Sequence, residues 1–294
     1  MDEPRLLHRY VPGRPHWWQW LTVLSLDAPL VAVAWQAAFA RAMQVQLQGH
    51  HSFILGASVW LAYAADRWIE GWRLEPETVL TQRHWFYQKW RRPVAVAWAV
   101  VLGIALTLSV ALLTQRELKF GVLLLAPVLA YLLSHQLLHR RHRWRAPKEI
   151  CVALLFAAGV SCFPLAQRDG IPDGTVPPLV VFSVLCFANC ALISHWEHEV
   201  DRSHGQTSLA LQFPQGRPLL RALPWIIAAA GAAGAIAGPR ATAGLMGCAA
   251  ASGALLGGVD RVHGQLGRQL SRALADVALL TPFVLLAIEG PLRA

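Results

Sequence analysis

The chain has 294 residues, 55% of them hydrophobic, and a mean hydropathy of +0.40. That is too apolar for a water-soluble domain and implies an all-α integral membrane protein, since only helices and closed barrels satisfy their own backbone in lipid. The net charge of +9 reads as membrane topology rather than nucleic-acid binding, and the five cysteines all lie in apolar runs, so they form neither a disulfide framework nor a zinc pattern.

The first sixteen residues are polar and basic, with Arg5, Arg9 and Arg14, and show no cleavable signal. Nine apolar segments follow: Trp18–Ala42, Ser52–Ala65, Val94–Leu113, Phe120–Leu138, Ile150–Leu165, Val176–Trp196, Leu219–Ala237, Ala241–Gly258 and Leu270–Ile288. The second and fifth reach a span only with their polar flanks. With the N-terminus in the cytoplasm, 20 of the 26 Lys and Arg fall on the cytoplasmic side and 6 on the other. This bias predicts nine transmembrane helices in a single domain, N-terminus in and C-terminus out, in the cell inner membrane. Trp17, Trp18, Trp20, Trp68, Trp72, Trp85, Trp90, Trp144 and Trp196 sit near the cytoplasmic boundaries, as an aromatic belt would. Gly234–Gly238 and Gly253–Gly257 have the spacing of close helix packing.

Helix 2 ends in Asp66-Arg67-Trp68-Ile69-Glu70, two carboxylates four apart. A cap loop over 66–93 follows. In it Pro76-Glu77-Thr78 opens a short basic, aromatic helix through Arg83, His84, Lys89 and Trp90, suited to a membrane surface or to capping a site. The loop closes with Arg91-Arg92-Pro93. The basic run His139 to Lys148 reads as topological anchoring and lipid headgroup contact. Lys148 differs, because it starts helix 5, where a helix N-terminus already favours anions.

Helix 6 ends in Glu197-His198-Glu199-Val200-Asp201, followed by Gly205 as a stop signal and a second cap loop over 197–218. Glu197 and Asp201 share one face of a helix. Two readings stand at this point: acids at headgroup level, or oxygen ligands for a divalent cation such as Mg²⁺. The topology puts this pair and Asp66/Glu70 on the same side. Two facing acidic pairs suit Mg²⁺ ions that clamp a diphosphate, over an apolar cavity that shelters its hydrocarbon chain. His195, His198 and His204 lack standard zinc spacing.

On these motifs the sequence resembles the UbiA superfamily of intramembrane prenyltransferases, over nearly its whole length. The family's first motif, Asn-Asp-x-x-Asp-x-x-x-Asp, falls on Ala62, Tyr63, Asp66 and Glu70. Its second, Asp-x-x-x-Asp followed by Gly and a Thr-Leu-Ala-like run, falls on Glu197, Asp201, Gly205 and Thr207-Ser208-Leu209-Ala210. Arg91-Arg92-Pro93 looks like the family's basic-Arg-Pro signature. The departures are Ala62 and Tyr63, which remove two oxygen ligands, and glutamates at 70 and 197. The resemblance implies a nine-helix bundle with cytoplasmic cap loops and Mg²⁺ held by Asp66, Glu70, Glu197 and Asp201. It further implies a prenyl diphosphate contacted by Arg67, Arg91, Arg92 and Lys148, with Tyr63 and Asn189 as further substrate contacts, and a lipid-soluble acceptor. The alternative is a non-catalytic protein that keeps the scaffold and binds an isoprenoid lipid or a partner. Transport is a third reading, opposed by the clustering of acids at one face.

Two intramembrane acids remain. For Asp276 the local expectation is a pair with Arg272, one turn earlier. Asp27 has no local partner, and lining the site or bonding another helix both stay open.

Overall fold

The computed structural model describes residues 15–73, 81–134, 148–203 and 208–289; within these, the side chains of 70–73, 203 and 289 fall outside the description. No strand occurs among the described residues. In chain order, a 3-10 turn at Trp17–Gln19 leads into α1 (Trp20–Val23), α2 (Asp27–Ala42), α3 (Gly49–Arg73), α4 (Gln82–Lys89), α5 (Arg91–Leu112), α6 (Gln115–Leu133) and α7 (Lys148–Ala166). Then come α8 (Val176–Trp196), α9 (His198–Ser203), α10 (Leu209–Gln212), α11 (Arg217–Ala237), α12 (Arg240–Leu266), α13 (Arg268–Ala278) and α14 (Thr281–Glu289).

Among the described residues six helices are long and apolar enough to cross a membrane, or seven if the bent pair α1–α2 counts as one span. The long helices α3 and α6 fall short of that measure. The first opens on Gly49-His50-His51 and ends on charged residues; the second opens on Arg116, Glu117 and Lys119. The outward faces of α5 and α6 carry exposed Val96, Val100, Val110, Val122 and Leu123. An apolar exterior of this kind suits lipid, which solvates such side chains as well as a protein core does.

The first expected span is broken. α1 and α2 meet at a bend of 79°, with Ser25 in the left-handed region at φ 55°. Pro29, in the first turn of α2, has no N–H to extend the helix backward. The ninth breaks at Leu279-Leu280, just before Pro282 in α14. Such breaks free carbonyls, which lipid cannot satisfy. Tryptophans do so here: Trp60 Nε1 donates to Leu24 O at 3.0 Å, and Trp35 Nε1 to Leu279 O at 2.7 Å. Trp35 also stacks on Phe182 of α8 with centroids 4.3 Å apart, at the centre of a core that includes Phe39, Leu185 and Leu192.

α11 and α12 pack through glycines. A Cβ on Gly253 would meet Pro224 O at 2.7 Å, and one on Gly231 would meet Ala250 N at 2.6 Å. Gly257 lies under the Trp225 ring in the same way. Gly238 plays a different part, as the C-cap of α11. Trp196 is also no belt residue. It is 5% exposed, stacks on His263 and donates to Asp260 Oδ1 at 3.1 Å. The cysteines are free, with Cys162, Cys186 and Cys248 buried.

Candidate active site

The second acidic stretch sits where α8 stops. Glu197 takes the C-cap position of α8, and α9 resumes at His198. The register survives the break, because Asp201 N still donates to Glu197 O at 3.0 Å. The two carboxylates therefore stay one turn apart. Gly205 and Thr207 lie outside the described residues.

Three helices meet at Glu197. Its Oε2 accepts from Arg272 Nη1 of α13 at 2.7 Å and from Arg83 Nη2 of α4 at 3.2 Å. Burial pushes the carboxyl's pKa up, but the charges of Arg272, Arg83, Arg67 and His84 outweigh it and hold the pKa at about 2. Because both arginines close on Oε2, they leave Oε1 aside. Asp201 is 7% exposed, and its Oδ2 is buried with no hydrogen-bond partner. An orphaned buried carboxylate oxygen can ligate a cation or accept a hydrogen bond from a polar ligand.

The cap helix α4 closes over this mouth. The sequence places its start at Pro76-Glu77-Thr78. Residues 74–80 are outside the description, and the helix begins after Thr81, whose side chain accepts from His84 N. Its inner face is buried: Arg83, His84 and Tyr87 are 9%, 1% and 2% exposed. Tyr87 Oη donates to Ser25 Oγ at 3.1 Å, tying the cap to the α1–α2 break. Of the two uses foreseen for this segment, capping a site describes it better than lying on a membrane surface.

The other expected site residues fall in different places. Arg67, at the end of α3, is half-buried, and its charge reaches Glu197. The ends of α3 and α8 therefore converge, and Asp66 belongs to the same turn of α3. The side chain of Glu70 lies outside the description. Lys148 opens α7, and its charge reaches Cys190 inside the bundle. Tyr63 and Asn189 line one cavity of ≈ 40 Å³, deeper in the bundle than the mouth. Arg91 and Arg92, by contrast, are exposed at the start of α5. Neither side chain makes a hydrogen bond or ion pair with a described residue. Among the described residues, no three His, Cys, Asp or Glu side chains gather to hold a metal ion.

Sequence reasoning missed the partners of Glu197. Arg83 stood out only as part of a cap, and Arg272 was expected to pair with Asp276. Instead Asp276 Oδ1 accepts from Asn189 Nδ2 at 3.1 Å. Glu149 was also missed. It is 2% exposed, and its Oε1 accepts from Leu209 N at 3.0 Å, fixing the second cap loop to the start of α7. Its position beside Lys148 at a helix start was the available signal.

No family model matches the chain, and no curated protein matches it by sequence. Among solved structures it is similar to a UbiA homolog from Aeropyrum pernix K1, described as an apo structure. The TM-score is 0.60 at 18% identity, over 90% of this chain and 98% of that one. The chain shares the fold of that UbiA homolog. With six helices apolar enough to cross a membrane among the described residues, the bundle is that of a multi-pass membrane protein. The fold agrees with the resemblance that the two acidic motifs carried. Within it, the arginine-lined mouth lies where α3, α4, α8 and α13 meet.

Proposed function

We propose that the chain is a UbiA-like prenyltransferase, which uses Mg²⁺ to transfer a prenyl group from a prenyl diphosphate to a lipid-soluble acceptor inside the membrane. The observation that carries this reading is the convergence of Arg67, Arg83 and Arg272 on Glu197. Three guanidiniums from three elements, set at the mouth of an apolar bundle, attract an anion on a hydrocarbon tail.

The residues fit a Mg²⁺ site. Asp201 offers an unpartnered buried oxygen and Glu197 a second oxygen that its arginines leave aside, with Asp66 and Glu70 on the facing helix end. Mg²⁺ usually takes one or two carboxylates and completes its shell with water and substrate phosphates, so a larger protein cage is unnecessary. When bound, it would offset the charge of the diphosphate and make it a better leaving group. The arginines bind and orient the same group, while α4 keeps water away. The C1–O bond of the prenyl diphosphate breaks and its electron pair leaves with the diphosphate. The acceptor's nucleophilic atom bonds to C1 and gives up a proton. Phe156 and the apolar walls around Tyr63 shelter the allylic centre.

In this reading α3 and α6 add two crossings to the seven above, giving nine. The N-terminus and the active-site mouth face the cytoplasm, in the inner membrane. The 20-to-6 bias of basic residues supports that orientation.

One observation favours a second reading. Ala62 and Tyr63 stand where the first motif has its amide and first carboxylate, and Glu197 is already neutralised by arginines. A protein that binds an isoprenoid lipid without turning it over would look the same. Incubating the purified protein with tritiated prenyl diphosphates, Mg²⁺ and a membrane extract as acceptor source separates the two. Transfer predicts diphosphate release and a labelled, solvent-extractable product. Binding alone predicts neither.

A further inference from the structure

The α1–α2 and α13–α14 breaks lie side by side and bring together two acids that the mouth does not use. Asp27, the first residue of α2, and Asp276 of α13 line one cavity of ≈ 30 Å³ together with Trp18, Thr22 and Leu280. Both carboxyl groups border this cavity, close enough to interact electrostatically. Asp276 also takes part in the second cavity, of ≈ 40 Å³, with Tyr63 and Asn189 set against Val31, Phe156 and Leu279.

The decisive group is Asn189. It is 8% exposed, its Nδ2 donates to Asp276 Oδ1, and its Oδ1 is buried with no partner. Trp60 and Trp35 bond the Leu24 and Leu279 carbonyls at the two breaks, and Asp27 Oδ1 accepts from Ala28 N at 2.9 Å at the start of α2; the Asp276 carboxyl bonds no described backbone group and turns to Asn189. The groups around the pair are Arg272 on α13, which is held by Glu197, Arg67 and Tyr63 on α3, and Cys190 on α8. The cluster thus sets an orphan amide oxygen beside two carboxyl groups, in contrast to the arginine-lined mouth one turn away. It rejects anions and accepts donors. Its volume has room for a head of two or three heavy atoms.

We propose that Asp27, Asp276, Asn189 and Tyr63 form a second polar subsite, which receives the hydrogen-bond-donating head of a lipid-soluble ligand, a hydroxyl or a protonated amine. Naming that ligand as the prenyl acceptor rests on the function proposed above; the binding itself does not. The two substrates then enter with opposite polarity, the anion held at the mouth and the donor head one turn deeper.

The test uses the full-length protein in detergent, without Mg²⁺ or diphosphate. The probes are a diazirine-bearing hexadecanol, its methyl ether and the corresponding primary amine, with labelled positions mapped by mass spectrometry. The alcohol and the amine label Tyr63, Val31 or Phe156 about tenfold more than the ether does. Asn189→Leu reduces the alcohol to the level of the ether, and Asp276→Asn removes the preference for the amine, while thermal unfolding shows both variants folded. If either variant fails to fold, competition of unlabelled hexadecanol against its ether on the wild type decides the same point. Equal labelling by ether and alcohol overturns the proposal, as does discrimination that survives in folded Asn189→Leu. Loss of prenyl transfer with discrimination intact overturns only the transferase reading.

Discussion

Arg272 places its Nη1 2.7 Å from Glu197 Oε2, and so leaves Asp276, one turn further along its own helix, to Asn189. That choice divides the polar interior in two. A basic cluster surrounds Glu197 at the mouth, and an acidic pair lies beneath it. Four elements distant in sequence meet at these two levels, so changes there reach both stability and binding.

Glu197→Ala removes a carboxylate partner from the buried Arg83 and the largely buried Arg272. Breaking a buried pair by deleting one side costs about 3–5 kcal/mol, because the remaining charge is left uncompensated. Thermal unfolding in detergent is expected to show a loss of that size, while Glu199→Ala, at an exposed carboxylate that approaches Arg268 only to 3.9 Å, changes little.

The same contact sets an acid limit. The pKa of Glu197 is about 2 in the fold against an ordinary value of 4.5. A depressed carboxyl contributes stability that is fully present above the unfolded value and is lost as pH falls toward the folded one. The wild type should therefore lose roughly 3 kcal/mol as pH drops from 4.5 toward 2. Glu197→Gln starts less stable and lacks that segment of the pH profile.

Much of the bundle was legible because its spans are plainly apolar. Val176–Trp196 appears as expected, and α5, α7 and α11 begin within a few residues of their expected starts. The two breaks were not legible from hydropathy, since a broken helix keeps the composition of a continuous one. Pro29 and Pro282 were the only local marks. The convergence of the α3 and α8 ends followed from basic-residue bias and motif pairing. The Arg83 and Arg272 contacts to Glu197 did not, because sequence favours the i,i+4 partner and carries no record of a contact 75 residues away.

The glycine seam of α11 and α12 predicts a packing effect. Gly253→Leu forces side-chain atoms into the Pro224 carbonyl and the Ala228 backbone. It should destabilise by about 1–3 kcal/mol or more. Gly247→Leu, at a position with open space around it, serves as the matched control in the same unfolding assay.

Opening the cap is expected to show in exchange kinetics. Tyr87→Phe removes the hydrogen bond to Ser25, and Arg83→Ala removes the tie to Glu197. Amide hydrogen exchange over Gln82–Lys89 should quicken in both, with α8 protected as before. In a transfer assay Arg83→Ala should raise KM for the diphosphate more than Tyr87→Phe does.

The central claim is that the Glu197/Asp201 mouth holds a Mg-bound prenyl diphosphate. Its most direct test is the affinity of the purified protein for a non-hydrolysable prenyl thiodiphosphate, measured with Mg²⁺ and with chelator, for wild type and Asp201→Asn. The account predicts binding about tenfold or more tighter with Mg²⁺, and loss of that difference in the variant with its fold intact. Equal affinity with and without Mg²⁺, unchanged by Asp201→Asn, would contradict it.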